Sequence, residues 1–162
     1  MTARDVYARA GKAAHALLLP AVVTTLRVLR SRRTRVVLHD ADGRVALVRG
    51  WFSQQRWELP GGGLGRTESP SAGAARELAE EVGVEVTASA LRFVGERPDP
   101  LRAYTAVLLH GRLARRVPLV VPRGHRWEVL EAAWHDPASL PHDVDPLVRP
   151  ALEEALRQER AP

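Results

Sequence analysis

The order of elements read from the sequence assigns the chain to the α+β class: two short β-rich runs, a helix, further strands and a closing helix. Two other observations agree. A length of 162 residues with 45% hydrophobic composition suits one globular domain with a substantial core. Two stretches, one around residue 75 and one near the C-terminal end, carry apolar residues at helical spacing with polar residues between them.

Residues 1–33 read as a helical extension ahead of a domain that occupies 34–162. Val6, Ala10, Ala13, Ala14, Leu17, Leu18, Ala21, Val22, Leu26 and Leu29 form its apolar set, and Pro20 should kink or split it. The run from Ala13 to Leu26 is broken by His15 and Thr24 and falls short of the ~20 residues a membrane span needs. Arg4, Arg9 and Lys12 precede it as in a secretory signal, but no convincing small-residue cleavage site follows. The extension is therefore expected to pack on the domain or on a second copy in a homodimer, with membrane-surface association as the alternative. Arg27, Arg30, Arg32, Arg33 and Arg35 then form a basic run, read as a solvated linker or as a phosphate-facing segment.

From Thr34 short β-rich runs take over. Arg35 to His39 and Arg44 to Arg49 flank Asp42-Gly43, a strong hairpin signal. Gly50 to Gln55 reads as a loop, and Trp57-Glu58-Leu59 as a short strand feeding Pro60 and the glycines Gly61, Gly62 and Gly63. The next helix has Ser69 as N-cap, Pro70 at its first position and Gly83 as its stop. Ala74, Ala75, Leu78, Ala79 and Val82 form its apolar side. Leu91 to Arg97 and Ala103 to Leu113 read as strands around a turn at Pro98-Asp99-Pro100. Val117 to Val121 reads as an edge strand or loop, because prolines bound it. Glu131 to His135 is the last strand, with Trp134 expected inside, and Pro146 to Arg160 the closing amphipathic helix.

Composition excludes several chemistries. No cysteine is present, so disulfides, thiolate catalysis and zinc–thiolate sites are ruled out, and the cytoplasm is the default compartment. The formal net charge is +5, carried almost wholly by arginine, with Lys12 the sole lysine. Without a dense basic patch interleaved with aromatics, no stable nucleic-acid partner is expected. Scattered arginines suit a phosphorylated small molecule better.

The chemistry gathers between Leu59 and Val84. Glu77, Glu80 and Glu81 stand at i, i+3 and i+4, on one helix face within an arc of roughly 100°. Neighbouring acids repel unless a cation joins them, and hard divalent ions such as Mg²⁺ or Mn²⁺ suit oxygen ligands. The glycine loop lets backbone approach a phosphate or an ion closely.

These residues resemble the Nudix box, whose pattern is a glycine, five residues, a glutamate, seven residues, then R-E-U-x-E-E-x-G-U with U apolar. Here Gly62, Glu68, Arg76, Glu77, Leu78, Glu80, Glu81, Val82, Gly83 and Val84 fill it. Two departures stand outside the fixed positions. Thr67 replaces a glycine common before the first glutamate, and Gly73 replaces a helical alanine, where it is expected to leave space for substrate.

The resemblance implies a mixed β-sheet sandwiched between helices. It also implies metal-dependent hydrolysis of a phosphoanhydride bond in a small-molecule nucleoside diphosphate linked to another moiety. By the same resemblance Glu77, Glu80, Glu81 and the Gly61 carbonyl would hold metal, with Glu128 completing the site and Glu131 as second candidate. Arg76 and Glu80 join Glu77 in the catalytic set. Glu77 is the first choice as general base, with that assignment open among the glutamates. Glu68 reaches the metal face, bonds the helix N-terminus or locks the loop through Arg76. Trp51, Phe52, Arg56, Gly62 and Tyr104 are candidate substrate contacts, with His125, Arg126 and Trp127 further along the chain. Trp57 and Trp134 are expected in the core. The alternative is a non-catalytic Nudix-fold module that senses a nucleotide or nucleotide-sugar.

Overall fold

The computed structural model describes residues 32–51, 53–125 and 127–160. Residues 1–31 of the expected extension, and the candidate contacts Phe52 and Arg126, lie outside the described residues. The elements run β1 (Arg32–His39), β2 (Val45–Gly50), β3 (Trp57–Glu58), α1 (Pro70–Val82), β4 (Arg92–Pro98), β5 (Thr105–Arg112), β6 (Val129–His135) and α2 (Val148–Glu159). Among the described residues no helix is long and apolar enough to cross a membrane.

The strands form one mixed sheet. β1 runs parallel to β5 from Arg32↔Thr105 to His39↔Arg112, and every other pairing is antiparallel, with β4 outside β5 and β6 along β2. The sheet is covered on both sides, which explains why its central strands are nearly continuous apolar runs rather than alternating ones. Val37, Val45, Leu47, Ala106 and Leu108 pack with Val148, Ala151, Leu152 and Ala155 of α2. Their neighbours Val36, Leu38, Ala46, Val48, Val107 and Leu109 pack with Ala74, Leu78 and Val82 of α1. Trp57 is buried, as expected. Trp134 is half-buried, packs on the α1 side, and donates its indole N–H to Val117 O at 2.8 Å.

The hairpin at Asp42-Gly43 is present, but it does less than its sequence signal implies. Asp40 accepts from the Asp42 and Arg44 amides at 2.9 Å, and Gly43 takes φ 80°, the left-handed turn that favours glycine. β1 and β2 pair only at His39↔Val45 and then part. The segment 57–62 enters the gap. It pairs with β2 at Val48↔Glu58 and with β1 through Thr34 N–H to Gly62 O and Val36 N–H to Pro60 O, both 2.9 Å. Tertiary splaying of a hairpin therefore places the glycine loop between two strands.

Part of the basic run belongs to the sheet rather than to a linker. Arg32, Arg33 and Arg35 lie in β1, which begins three residues earlier than the sequence suggests, and Arg35 is 5% exposed. Residues 117–121 form a loop rather than an edge strand.

Candidate active-site cleft

A cleft of about 490 Å³ opens where the glycine loop meets α1 and β1. Glu77, Glu80 and Glu81 line it from α1, Gly61 to Gly63 from the loop, and Arg33 and Arg35 from β1. Glu58, Arg102, Tyr104, Trp127 and Glu128 also contribute to its lining. Arg33 and Arg35 share the strand parity of Val37. They therefore leave β1 on the face away from α1, and the cleft draws on both faces of the sheet.

Local sequence sets the pitch of the acidic helix. Ser69 Oγ accepts from the Ala72 amide at 3.2 Å, Pro70 opens the helix, and Gly83 at φ 67° ends it while Val84 N–H returns to Leu78 O at 3.2 Å. Buried Ala74, Leu78 and Val82 fix the opposite face. Gly62 allows the loop to lie against the helix, because a Cβ there would stand 2.5 Å from the Glu77 carboxylate. Gly61 and Gly62 thus make room for protein atoms, whereas a Cβ on Gly63 would meet nothing within 4 Å. The expectation for Gly73 is corrected, because its missing Cβ accommodates Leu64 at 2.6 Å and Glu68 at 3.0 Å instead of substrate.

Arg76 is the hub of the acidic side. It donates from Nε to Glu68 Oε1 at 3.0 Å and from Nη1 to Glu77 Oε1 and Glu80 Oε2 at 2.9 Å. From Nη2 it donates to Glu68 Oε2 at 3.1 Å and to Gly63 O at 3.0 Å. Glu68 also accepts from the Gly65 amide at 2.9 Å, so it ties the loop to Arg76. Arg76 and the Gly65 amide hold the Glu68 carboxyl below the usual carboxylate range. Burial raises Glu77 against the opposing pull of Arg76. Burial also pushes Glu81 up to about 8, despite the Gly61 N–H it accepts at 2.7 Å and the nearby Arg35 charge.

A second charged network supports the loop from beneath. Arg35 donates to Gly61 O, to Glu58 Oε2 at 3.2 Å and to the Tyr104 hydroxyl at 2.8 Å. Arg102 donates to Glu58 Oε2 at 3.0 Å, to Asp145 Oδ2 at 3.1 Å and to Asp99 Oδ2 at 3.3 Å. Gly61 is thereby tied at both ends, its N–H to Glu81 and its carbonyl to Arg35.

The donor set suits a hard cation in type: glutamate oxygens and a backbone carbonyl, with no histidine, cysteine or methionine among the described residues that line the cleft. Burial that raises Glu77 and Glu81 is the strain a cation would relieve. Among the described residues, however, no three such side chains converge tightly enough to hold an ion as they stand. Arg76 bonds Glu77 and Glu80 while Glu81 turns to Gly61, so the carboxylates share a cleft rather than a point.

Of the remaining predicted site residues, Glu128 and Tyr104 line the cleft, whereas Trp51, Arg56 and Glu131 do not. Trp51 donates its amide to Glu128 O at 3.3 Å, and Arg56 donates its amide to Ser53 O at 3.0 Å. Glu131 lies in β6 opposite Arg49. Trp127 stands 58% exposed on the cleft. Arg33 and Arg35 come to the cleft from the basic run, for which a phosphate-facing segment is one of the two sequence readings, whereas the sequence offers no site signal for Glu58 and Arg102. Arg102 carried none, because its partner Glu58 lies 44 residues away.

A family model described as NUDIX domain matches residues 29–156. A protein from two strains of Mycobacterium tuberculosis, named "Putative 8-oxo-dGTP diphosphatase 2", is 40% identical over 99 residues, 56% of this chain and 60% of the relative. The chain thus spans less than two thirds of the length of those relatives. Among solved structures, a MutT protein from Methanosarcina mazei Go1 superposes with TM-score 0.62 at 20% identity, over 81% of this chain and 96% of the other. An ADP-ribose pyrophosphatase from Streptococcus suis gives 0.59 at 22% identity, over 82% and 93%. At such identities the structures attest a shared fold.

Proposed function

Since the chain belongs to the NUDIX family, we propose that it hydrolyses a phosphoanhydride bond in a small nucleoside diphosphate derivative, with Mg²⁺ or Mn²⁺ as cofactor. The observation that carries this reading is the gathering of Glu77, Glu80, Glu81, Glu128 and the Gly61 backbone on one cleft. Held by those carboxylates and the Gly61 carbonyl, a divalent ion would neutralise diphosphate charge and lower the pKa of a bound water. A carbonyl has two lone pairs, so Gly61 can serve an ion while it accepts from Arg35.

The chain's own residues prepare the reaction. Arg76 orients Glu77 and Glu80 from one guanidinium, and the Gly61 amide orients Glu81. Glu77, held by Arg76 Nη1 at 2.9 Å, serves as the proton acceptor from water. Arg35 fixes the Gly61 carbonyl, and Glu58 with Arg102 fixes Arg35.

The test is a panel of nucleoside triphosphates, 8-oxo-dGTP, ADP-ribose, nucleotide sugars and dinucleoside polyphosphates. Each is assayed with Mg²⁺ and with Mn²⁺ for phosphate or pyrophosphate release. At least one should turn over, and Glu80→Gln with Glu81→Gln should abolish it while the protein still melts cooperatively. Undiminished activity in the double variant would remove these residues from the mechanism. A wild-type protein that turns over nothing on the panel would remove the hydrolytic reading.

A further inference from the structure

Building on the reading of this cleft as a nucleotide site, we propose that Arg33 determines specificity there by receiving an anionic phosphoryl oxygen of the ligand. Three described arginines line the cleft. Arg35 and Arg102 are committed, to Gly61 O, Glu58 and Tyr104 in the first case and to Glu58, Asp99 and Asp145 in the second. Arg33 differs. Its guanidinium rests on the Tyr104 ring, 5.5 Å from the centroid, and it makes no ion pair among the described residues. Nor is it the counter-charge of the acidic helix, because Arg76 fills that role.

A half-buried guanidinium with no carboxylate partner among the described residues has lost part of its hydration and keeps donors those residues do not match, the condition in which a phosphate oxygen binds it most strongly. The charge is also well placed. Tyr104 is 5% exposed, and its hydroxyl accepts from Arg35 at 2.8 Å and Arg102 at 3.5 Å, so the ring under Arg33 is fixed. The backbone of Arg33 bridges to Gly63, which sets the residue beside the glycine loop. Tyr104 therefore serves as the platform of Arg33, and the ligand meets the guanidinium above it. A charged phosphoryl group is favoured at this position over an uncharged sugar hydroxyl, which gains little from a cation.

The experiment is equilibrium calorimetry of the full chain with inorganic pyrophosphate and with GDP in the presence of Mg²⁺. Guanosine serves as the uncharged control, and wild type, Arg33→Ala and Arg33→Lys are compared. One charge-assisted contact corresponds to about 10- to 100-fold in affinity. Arg33→Ala should weaken pyrophosphate and GDP by that factor, leave guanosine unchanged and keep the wild-type melting temperature, while Arg33→Lys recovers part of the loss. Equal binding of pyrophosphate by wild type and Arg33→Ala would overturn the proposal. So would a wild type that binds neither anion, or a loss that extends equally to guanosine. A protein that binds pyrophosphate through Arg33 yet hydrolyses nothing on the panel would leave this assignment standing and remove the hydrolytic one.

Discussion

Replacing Gly62 with alanine should separate activity from stability, and replacing Gly61 should not. A Cβ on Gly62 would lie 2.5 Å from the carboxyl carbon and both oxygens of Glu77. Ordinary contacts are nearer 3.5 Å, so the carboxylate must move by about 1 Å, against the hydrogen bond from Arg76. The obstacle is the far end of a side chain, which can leave its rotamer for about 1 kcal/mol. A displacement of that size at a reacting group is enough to lose roughly 100-fold in rate. On Gly61 the new Cβ would stand 2.3 Å from the Thr34 carbonyl oxygen, at a φ of 136° that L-residues rarely adopt. Backbone cannot rotate away, so that variant should lose about 3 kcal/mol or more of folding free energy. The assay pairs urea melts with turnover of whichever substrate the panel identifies. Gly62→Ala with wild-type turnover, or with destabilisation equal to that of Gly61→Ala, would refute the assignment of Gly62 to Glu77 placement.

Two further outcomes follow from buried charge. His39 and His110 are 1% and 3% exposed, with Nδ1 of the first 3.1 Å from Nε2 of the second, and Glu159 3.6 Å from His110. Burial lowers His39 from 6.5 to about 4 and lowers His110 as well. The unfolded chain takes up protons near pH 6.5 that the folded chain refuses until near 4, so stability should fall progressively as pH drops between those values. His39→Gln should flatten that dependence, and a wild type equally stable at pH 7 and pH 4.5 would contradict burial in the neutral form. Arg102→Met would leave Glu58 with Arg35 alone and strip the ion-pair partner from the buried Asp99 and Asp145, whose side chains are 0% and 2% exposed. A loss of about 3 kcal/mol in urea denaturation is expected, and one below about 1 kcal/mol would show that water replaces the guanidinium there.

The acidic helix was legible because every signal that defines it is local. Ser69, Pro70 and Gly83 act on backbone within a turn of themselves, and Glu77, Glu80 and Glu81 share a face through the helical repeat alone. The Glu68–Arg76 lock spans eight residues and could be named as an alternative in advance. The two-sided sheet was expected from the family resemblance alone, and the apolar runs at 36–38 and 45–48 are buried by its two covered faces.

What the sequence by itself determined is the family box, the helix that carries its carboxylates, and the α+β order of elements, all set by short-range periodicity and capping. Only the tertiary structure decided the parting of β1 from β2, the insertion of segment 57–62 between them, and the meeting of Arg35 with Gly61, Glu58 with Arg102, and Arg33 with Tyr104. Those contacts join residues 26 to 71 positions apart, across strands whose register no local pattern specifies. A buried charge takes the partner that the fold brings within reach, and that choice belongs to the packed chain.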